Sequence, residues 1–280
     1  MILAHPHPGV PAAAEPLPAL AALLAAVCYL AAARRLRRRG DAWSRWRDLS
    51  FVAGGVAVAW AGVGSAPGGP FTGHMVQHVV LGMAAPLLLV TARPLTLALR
   101  ALPPGGVRRC LLALTRLRVA GWLAFPPVAA LLDVGGLWLL YRTGLFAATA
   151  HQPLSHLLVH VHVLAAGTLF AFAVCGLDPV RRRWGAGVRG GTLLVAGAVH
   201  GVLAKTLYAA PPPGIDVAPG DLRTGAQVMY YGGDLVALAT AAVVGAGWYA
   251  ASGRALRAAS RRPDGALDPR NMPHCAQNIG

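Results

Sequence analysis

The stretch FTGHMVQHVVLGMAAPLLLV, residues 71–90, combines a long apolar run with two histidines placed four residues apart. A helix needs about 20 mostly apolar residues to cross a bilayer. The stretch has this length and contains no Asp, Glu, Lys or Arg. We therefore interpret residues 73–92 as a membrane-spanning helix whose first turns carry His74 and His78.

The composition of the whole chain extends this interpretation. Hydrophobic residues make up 56% of the 280 positions and charged residues only 12%, with a mean hydropathy of +0.54. A soluble domain carries roughly twice that charged fraction, about 25%. Six further apolar runs qualify as spans: 17–33, 49–65, 119–140, 152–174, 188–208 and 226–250. The sequence predicts an all-α, polytopic membrane helix bundle with seven transmembrane helices, which occupies residues 17–250.

The basic residues predict how this bundle is oriented. Alternate loops and the C-terminal tail together hold 22 of the 25 Lys and Arg residues, and the intervening segments hold 3. Cytoplasmic loops are enriched in basic residues. We expect the N-terminus, residues 1–16, outside and the arginine-rich tail, residues 251–280, inside. The amphipathic stretch 94–118 is interpreted as a surface helix. Because the charges lie in short loops and form no basic face, the net charge of +15 does not predict nucleic acid as a partner.

Histidines and one aspartate gather in the outer layer of the predicted bundle. His74 and His78 lie at the start of the third span, and the fifth span carries three more in its outer half. His200 and Asp234 lie toward the outer side of the sixth and seventh spans. Residues four apart on a helix share a face. The candidate ligands on this reasoning are His74, His78, His156, His160, His162, His200 and Asp234.

Imidazole is the commonest protein ligand for copper, zinc, iron and nickel. Two i, i+4 histidine pairs on facing helices would hold one ion. The thioethers of Met75 and Met83 in the third span and of Met229 in the seventh would favour Cu(I). The plainer interpretation is that intramembrane histidines form hydrogen bonds between helices. Polar residues in spans are costly, which favours a functional role for the two pairs. The role of Asp133 in the fourth span stays open. The four cysteines have neither metal-site nor disulfide spacing.

Two segments also resemble a known family. Residues 71–103, with HMVQH and the exit PLTLALR, and residues 151–183, with HQPLSHLLVHVH and GLDP, are similar to the signature segments of CtaG-type cytochrome c oxidase assembly factors. Weaker matches are GAVHGVLAKTLY, 197–208, and DLRTGAQVMYYGGD, 221–234. The resemblance implies a multi-pass protein of the bacterial plasma membrane that helps to form active cytochrome c oxidase. Copper delivery to the oxidase subunits, through an outer-leaflet histidine cluster, is the implied role.

Three alternatives remain open on the sequence alone. A membrane protein that binds haem b would use one histidine from each of two facing helices as axial ligands. A metal or proton transporter is less favoured, because the inner halves of the spans lack polar residues. A scaffold would bind the oxidase subunits and use the histidines only for packing. Since no nucleophile motif or carboxylate pair is present, we do not expect an enzyme.

Overall fold

The computed structural model describes residues 17–64, 66–150, 153–179 and 184–260, and these are helical throughout apart from short connections. Twelve α-helices and one π-helical turn occur within these ranges. They are α1 (Leu17–Arg38), α2 (Arg45–Val63), α3 (Pro70–Val79), the π-turn (Val80–Ala84), α4 (Ala85–Thr91), α5 (Pro94–Ala101), α6 (Gly106–Arg116), α7 (Arg118–Leu123), α8 (Pro126–Arg142), α9 (Leu145–Ala150), α10 (Pro153–Cys175), α11 (Ala186–Ala209) and α12 (Pro219–Ser260). The described part of the chain contains no strand, so the predicted all-α class is confirmed.

Five segments within the described ranges are long and apolar enough to cross a membrane: Ala19–Arg38, Pro70–Ala101, Leu157–Cys175, Ala186–Ala209 and Pro219–Arg254. Helices α2, with 19 residues, and α8, with 17 residues, correspond to the two other predicted spans and are not among these five. The outward faces carry large apolar side chains such as Leu24, Leu194 and Leu238, each more than 60% exposed. Apolar patches of this extent are typical of a membrane protein.

Three predicted boundaries differ from the structure. The run 119–140 is not one helix, because α7 ends at Leu123 and α8 begins at Pro126. The residue before a proline is disfavoured in helical conformation, and Phe125 is accordingly extended, with φ −73° and ψ 119°. The run 73–92 contains the π-turn, and α12 continues to Ser260, beyond the predicted end of the membrane domain at residue 250.

The helices pack around the unit formed by α3, the π-turn and α4. This unit contacts α2 on one side, α10 on another and α12 on a third, while α11 packs between α8 and α12. A core of apolar side chains joins α3, α8, α11 and α12 through Met75, Tyr141, Leu203, Leu207 and Met229. Each of these five side chains is fully buried. Met75 and Met229 are thus packing residues of this core.

The two ends of the bundle differ in their polar contacts. At one end, here called the histidine end, α3 and α12 begin and α8 and α11 finish. There Asp221 of α12 contacts the first turn of α3. The opposite end, here called the arginine end, contains the ion pairs Arg37–Asp48 at 2.8 Å and Arg100–Asp41 at 2.9 Å. Both ion pairs lie where α1 ends, α2 begins and α5 ends.

Candidate functional site: a buried imidazole pair between two cavities

The histidine-bearing start of α3 is fixed by a carboxylate from the last helix. The first N–H groups of a helix lack partners within the helix. Asp221 accepts hydrogen bonds from the N–H groups of Phe71 and Thr72, both at 2.9 Å, and from the Thr72 hydroxyl at 2.6 Å. Gly69 makes room, since a Cβ there would overlap the Asp221 carboxylate. The position of His74, one turn later, is consequently tied to α12.

The π-turn that follows His78 also determines how the helices pack beside the histidines. A π-turn adds a residue to the helical turn and often occurs at functional sites. Here it brings Gly82 against Gly167 of α10, where a Cβ on Gly167 would overlap the Gly82 carbonyl oxygen. The His78 ring lies about 3.5 Å from the Cβ position of Gly82. Glycines at both positions therefore let α10 approach the backbone beside His78.

His78 of α3 and His200 of α11 form a buried pair. Their ring centroids are 6.1 Å apart, the ring planes differ by 22°, and their exposed fractions are 6% and 5%. Neither Nε2 has a hydrogen-bond partner among the described residues. Buried polar atoms are nearly always paired. The pair therefore offers two buried nitrogens that could bond a hydrogen-bonding or coordinating ligand.

Small residues of α12 allow the pair to form. A Cβ on Gly233 would overlap the His200 imidazole, and one on Gly232 would come within 3.1 Å of Val79 in α3. Glycine at helix contacts permits close backbone approach in membrane bundles. The adjacent Asp234 interacts electrostatically with His200. Of the predicted ligands, Asp234 therefore lies near the His200 ring.

A small cavity of about 20 Å³ lies on the histidine-end side of His78, and it is here called the outer cavity after the predicted orientation. His74, Gln77, Tyr141 and His160 line it as well. The Nε2 of His74 forms a hydrogen bond of 2.8 Å with the Tyr141 hydroxyl. Gln77 donates to the Gly64 carbonyl oxygen at 3.0 Å. His74 and His78 of α3 and His160 of α10 thus line one cavity, while the ligand role predicted for them stays a prediction.

A second cavity, of about 40 Å³, lies on the arginine-end side of the pair, and it is here called the inner cavity after the predicted orientation. His78 and His200 line it together with Met83, Asp133 and Thr240. The rest of its wall is mostly apolar side chains from α8, α10, α11 and α12. This volume holds a few water molecules or an ion.

The remaining predicted ligands are placed differently. The His156 side chain lies outside the described residues. His162 is exposed, and its Nε2 is 2.6 Å from the Cβ position of Gly136 in α8, away from both cavities. No group of three or more His, Cys, Asp or Glu side chains within the described ranges has the spacing of a metal site. The structure thus brings together His74, His78, His160 and His200, and leaves the predicted metal as a prediction.

Sequence analysis missed the structural roles of two polar residues. Tyr141 contacts both histidines of α3, since its ring centroid is 5.9 Å from that of His74 and 6.1 Å from that of His78. Asp178, only 1% exposed, accepts hydrogen bonds from the N–H and hydroxyl of Thr96 and so caps α5, as Asp221 caps α3. The GLDP and PLT segments, which contain Asp178 and Thr96, were the available signal for this contact.

Comparison with known proteins identifies a family whose model matches this chain. The model of the cytochrome c oxidase caa3 assembly factor family (Caa3_CtaG) matches residues 27–251. Uncharacterised proteins of Mycobacterium bovis and Mycobacterium tuberculosis are each 36% identical over 172 residues, and one of Mycobacterium leprae is 33% identical over 171 residues. These matches cover 58% of this chain and 26% of each relative, so the chain spans about a quarter of their length. No solved structure matches.

Proposed function

Because the chain belongs to the cytochrome c oxidase caa3 assembly factor family, we propose that it delivers copper to oxidase subunits during assembly. The observation that carries this proposal is the buried pair His78–His200, with both Nε2 atoms unpartnered among the described residues. In this proposal copper is a cargo that the protein passes on, and the role is not catalytic. The protein acts in the bacterial plasma membrane, in contact with the oxidase subunits and the bilayer.

The donor atoms around the pair suit this cargo. Imidazole nitrogen binds copper well, and thioether sulfur favours Cu(I) over harder ions. Two imidazoles on opposite sides of one ion have ring centroids roughly 6 Å apart, since each metal–nitrogen bond is about 2 Å and each centroid lies about 1 Å behind its nitrogen. The separation between His78 and His200 is 6.1 Å, and Met83 lines the same cavity.

Ligand exchange along the histidines would carry the ion without a redox step. His74 and His160 share the outer cavity with His78, and all three rings are close enough to interact electrostatically. A chain of weak, exchangeable nitrogen ligands binds a cargo and releases it. In this proposal α2 and α8 complete a seven-span bundle, the histidine end faces the outside, and the arginine end faces the cytoplasm. The segregation of basic loops supports that orientation.

The test replaces both imidazoles of the pair, His78→Gln plus His200→Gln, in cells that depend on this protein for oxidase assembly. We expect the purified variant to lose bound copper, and membranes from the same cells to lose most oxidase activity per unit of oxidase protein. His274→Gln is the matched histidine change, placed in the predicted inner tail outside the described residues. Wild-type oxidase activity in the double variant would overturn the proposed copper delivery.

A further inference from the structure

The arginine end carries a cluster of positive charges that the proposed function does not use. The guanidinium carbon of Arg47, at the start of α2, lies 4.4 Å from the centroid of the Trp43 ring. The guanidinium carbon of Arg100, from α5, lies 5.9 Å from the same centroid. A cation within about 6 Å of an aromatic ring is attracted to it. Because Trp43 is only 5% exposed, one buried indole holds two positive charges from different helices.

Arg93, in the connection between α4 and α5, adds a third charge to this cluster. Arg47 interacts electrostatically with both Arg93 and Arg100, so it lies within reach of each. Arg93 has a left-handed backbone, with φ 55° and ψ 56°. Within the described ranges, every other residue with positive φ is a glycine. This conformation is uncommon for a residue with a Cβ, and such strain often occurs where a ligand binds.

The cluster has more positive charge than its acidic neighbours neutralise. Asp41 forms an ion pair with Arg100 at 2.9 Å. Asp178 interacts electrostatically with Arg47, but its Oδ1 already accepts the hydrogen bonds that cap α5. No carboxylate among the described residues forms an ion pair with Arg47 or Arg93. Three arginines therefore meet two carboxylates, and one positive charge has no counter-ion.

An apolar stripe on α2 begins beside the cluster. Trp46, Leu49 and Val56 are 77%, 57% and 62% exposed. Residues three and seven positions apart lie on one face of a helix, so these side chains run along α2 away from the arginine end. Exposed tryptophan is typical of the boundary between membrane and water. The surface thus passes from positive charge, through an interfacial aromatic residue, to apolar side chains.

We propose that this surface binds an anionic phospholipid whose headgroup is a singly charged phosphodiester. The guanidinium groups of Arg47, Arg93 and Arg100 bond the phosphate oxygens, since their planar donors match phosphate geometry. One negative charge balances the charge that the two carboxylates leave over. The acyl chains lie along the apolar stripe of α2, which a free phosphate ion cannot use. Basic pockets at the cytoplasmic ends of membrane helices are suited to such lipids.

The experiment titrates lipid onto the purified, delipidated full-length protein in detergent and counts bound lipids by native mass spectrometry. We expect phosphatidylglycerol to bind at least tenfold more tightly than phosphatidylcholine, whose headgroup has no net charge. Arg47→Gln plus Arg93→Gln should weaken phosphatidylglycerol binding at least tenfold. Arg109→Gln plus Arg116→Gln, which removes two exposed arginines of α6, is the matched control and should stay within twofold of wild type.

Three results would overturn the lipid site. Equal affinity of wild type for the two lipids would exclude a site for a charged headgroup, and this comparison needs no variant to fold. Displacement of phosphatidylglycerol by an equal concentration of inorganic phosphate would show a site for free anions. An equal loss in the α6 control would show a diffuse basic surface. None of these results bears on copper delivery, because the lipid site shares no residue with the buried imidazole pair.

Discussion

Tyr141 is the residue that links the two histidines of α3 to the rest of the bundle. Its side chain is fully buried, its hydroxyl bonds to His74, and its ring stands nearly perpendicular to that of His78 at 82°. Phe146 packs against both Tyr141 and His74 at 5.4 and 4.9 Å between centroids. The orientation of the outer histidines is thus set by aromatic neighbours from α8 and α9.

Replacing Tyr141 by Phe removes the hydrogen bond to His74 and keeps the ring. We expect the free energy of unfolding in detergent to fall by about 1 kcal/mol, the usual net contribution of such a bond. Tyr249→Phe, at a position that is 78% exposed, is the control and should change it little. Equal stability of Tyr141→Phe and wild type in a denaturant titration would show that the hydroxyl bond contributes nothing.

The histidine pattern in the sequence accounts for part of this arrangement. Helical phase places His74 and His78 on one face, and the structure puts both in one cavity wall with His160. The pairing of His78 with His200 depends on how α3 and α11 are rotated against each other, which spacing along one helix does not encode. Tyr141 was missed because an apolar run that ends in tyrosine resembles an ordinary interfacial aromatic.

At the scale of elements, the contact between the π-turn and α10 controls how closely helices approach beside the site. The run 73–92 reads as one continuous helix because its hydrophobicity gives no sign of the extra residue in the π-turn. The contact between Gly82 and Gly167 explains the π-turn, but it is visible only in the structure, because the two glycines lie far apart in the sequence. The effect of a proline on the backbone, by contrast, is local. Pro126 therefore marks the start of α8 in the sequence itself.

Gly167→Ala should be strongly destabilising. The added methyl overlaps the Gly82 carbonyl oxygen and lies 3.2 Å from Pro86, so α10 must move outward. We expect a loss of about 1–3 kcal/mol in unfolding free energy, the usual cost of overpacking. Gly190→Ala in α11 meets nothing within 4 Å and should gain about 0.5–1 kcal/mol instead. The two variants are compared by thermal unfolding, and similar midpoints would contradict the proposed close contact.

The capping of α3 by Asp221 can be tested by a measurement on the capped residues themselves. Asp221→Asn removes the charge and one acceptor oxygen, and we expect a loss of about 1–2 kcal/mol. Hydrogen exchange at the amides of Phe71 and Thr72 should accelerate, while exchange within α11 stays unchanged. The matched change is Asp216→Asn, which leaves the α3 cap intact. Unaltered exchange at both capped amides in Asp221→Asn would contradict the cap.

The whole molecule is organised by the contrast between its two ends. Exposed Cys110 lies in α6, among the arginines, and exposed Asp216 lies in the loop between α11 and α12. In a Cys28→Ala plus Cys275→Ala background, we expect a membrane-impermeant thiol reagent to label Asp216→Cys in intact cells. Cys110 should react only after the cells are permeabilised. The opposite labelling pattern would invert the proposed orientation.

At this scale composition and loop charge indicate much of the architecture. They predict the helical class and the separation of the arginines, because both follow from the cost of burying charge and backbone polar groups in lipid. They do not give the order in which helices pack around α3, since lipid-facing and protein-facing apolar side chains look alike in a sequence. The long helix α12 contacts α3 through Gly225 and Gly232, and composition does not distinguish these from its other glycines.

The two carboxylate caps also affect how the chain is synthesised. The cap of α5 comes from Asp178, 82 residues after Thr96, and the cap of α3 from Asp221, 150 residues after Phe71. At roughly 5–20 residues per second, ribosomes make Asp178 about 4–16 seconds after Thr96, and Asp221 about 8–30 seconds after Phe71. During that interval the amides at the start of α3 have no Asp221 to bind. The first turn of α3 is therefore capped late in synthesis, and premature termination before residue 221 would leave it uncapped.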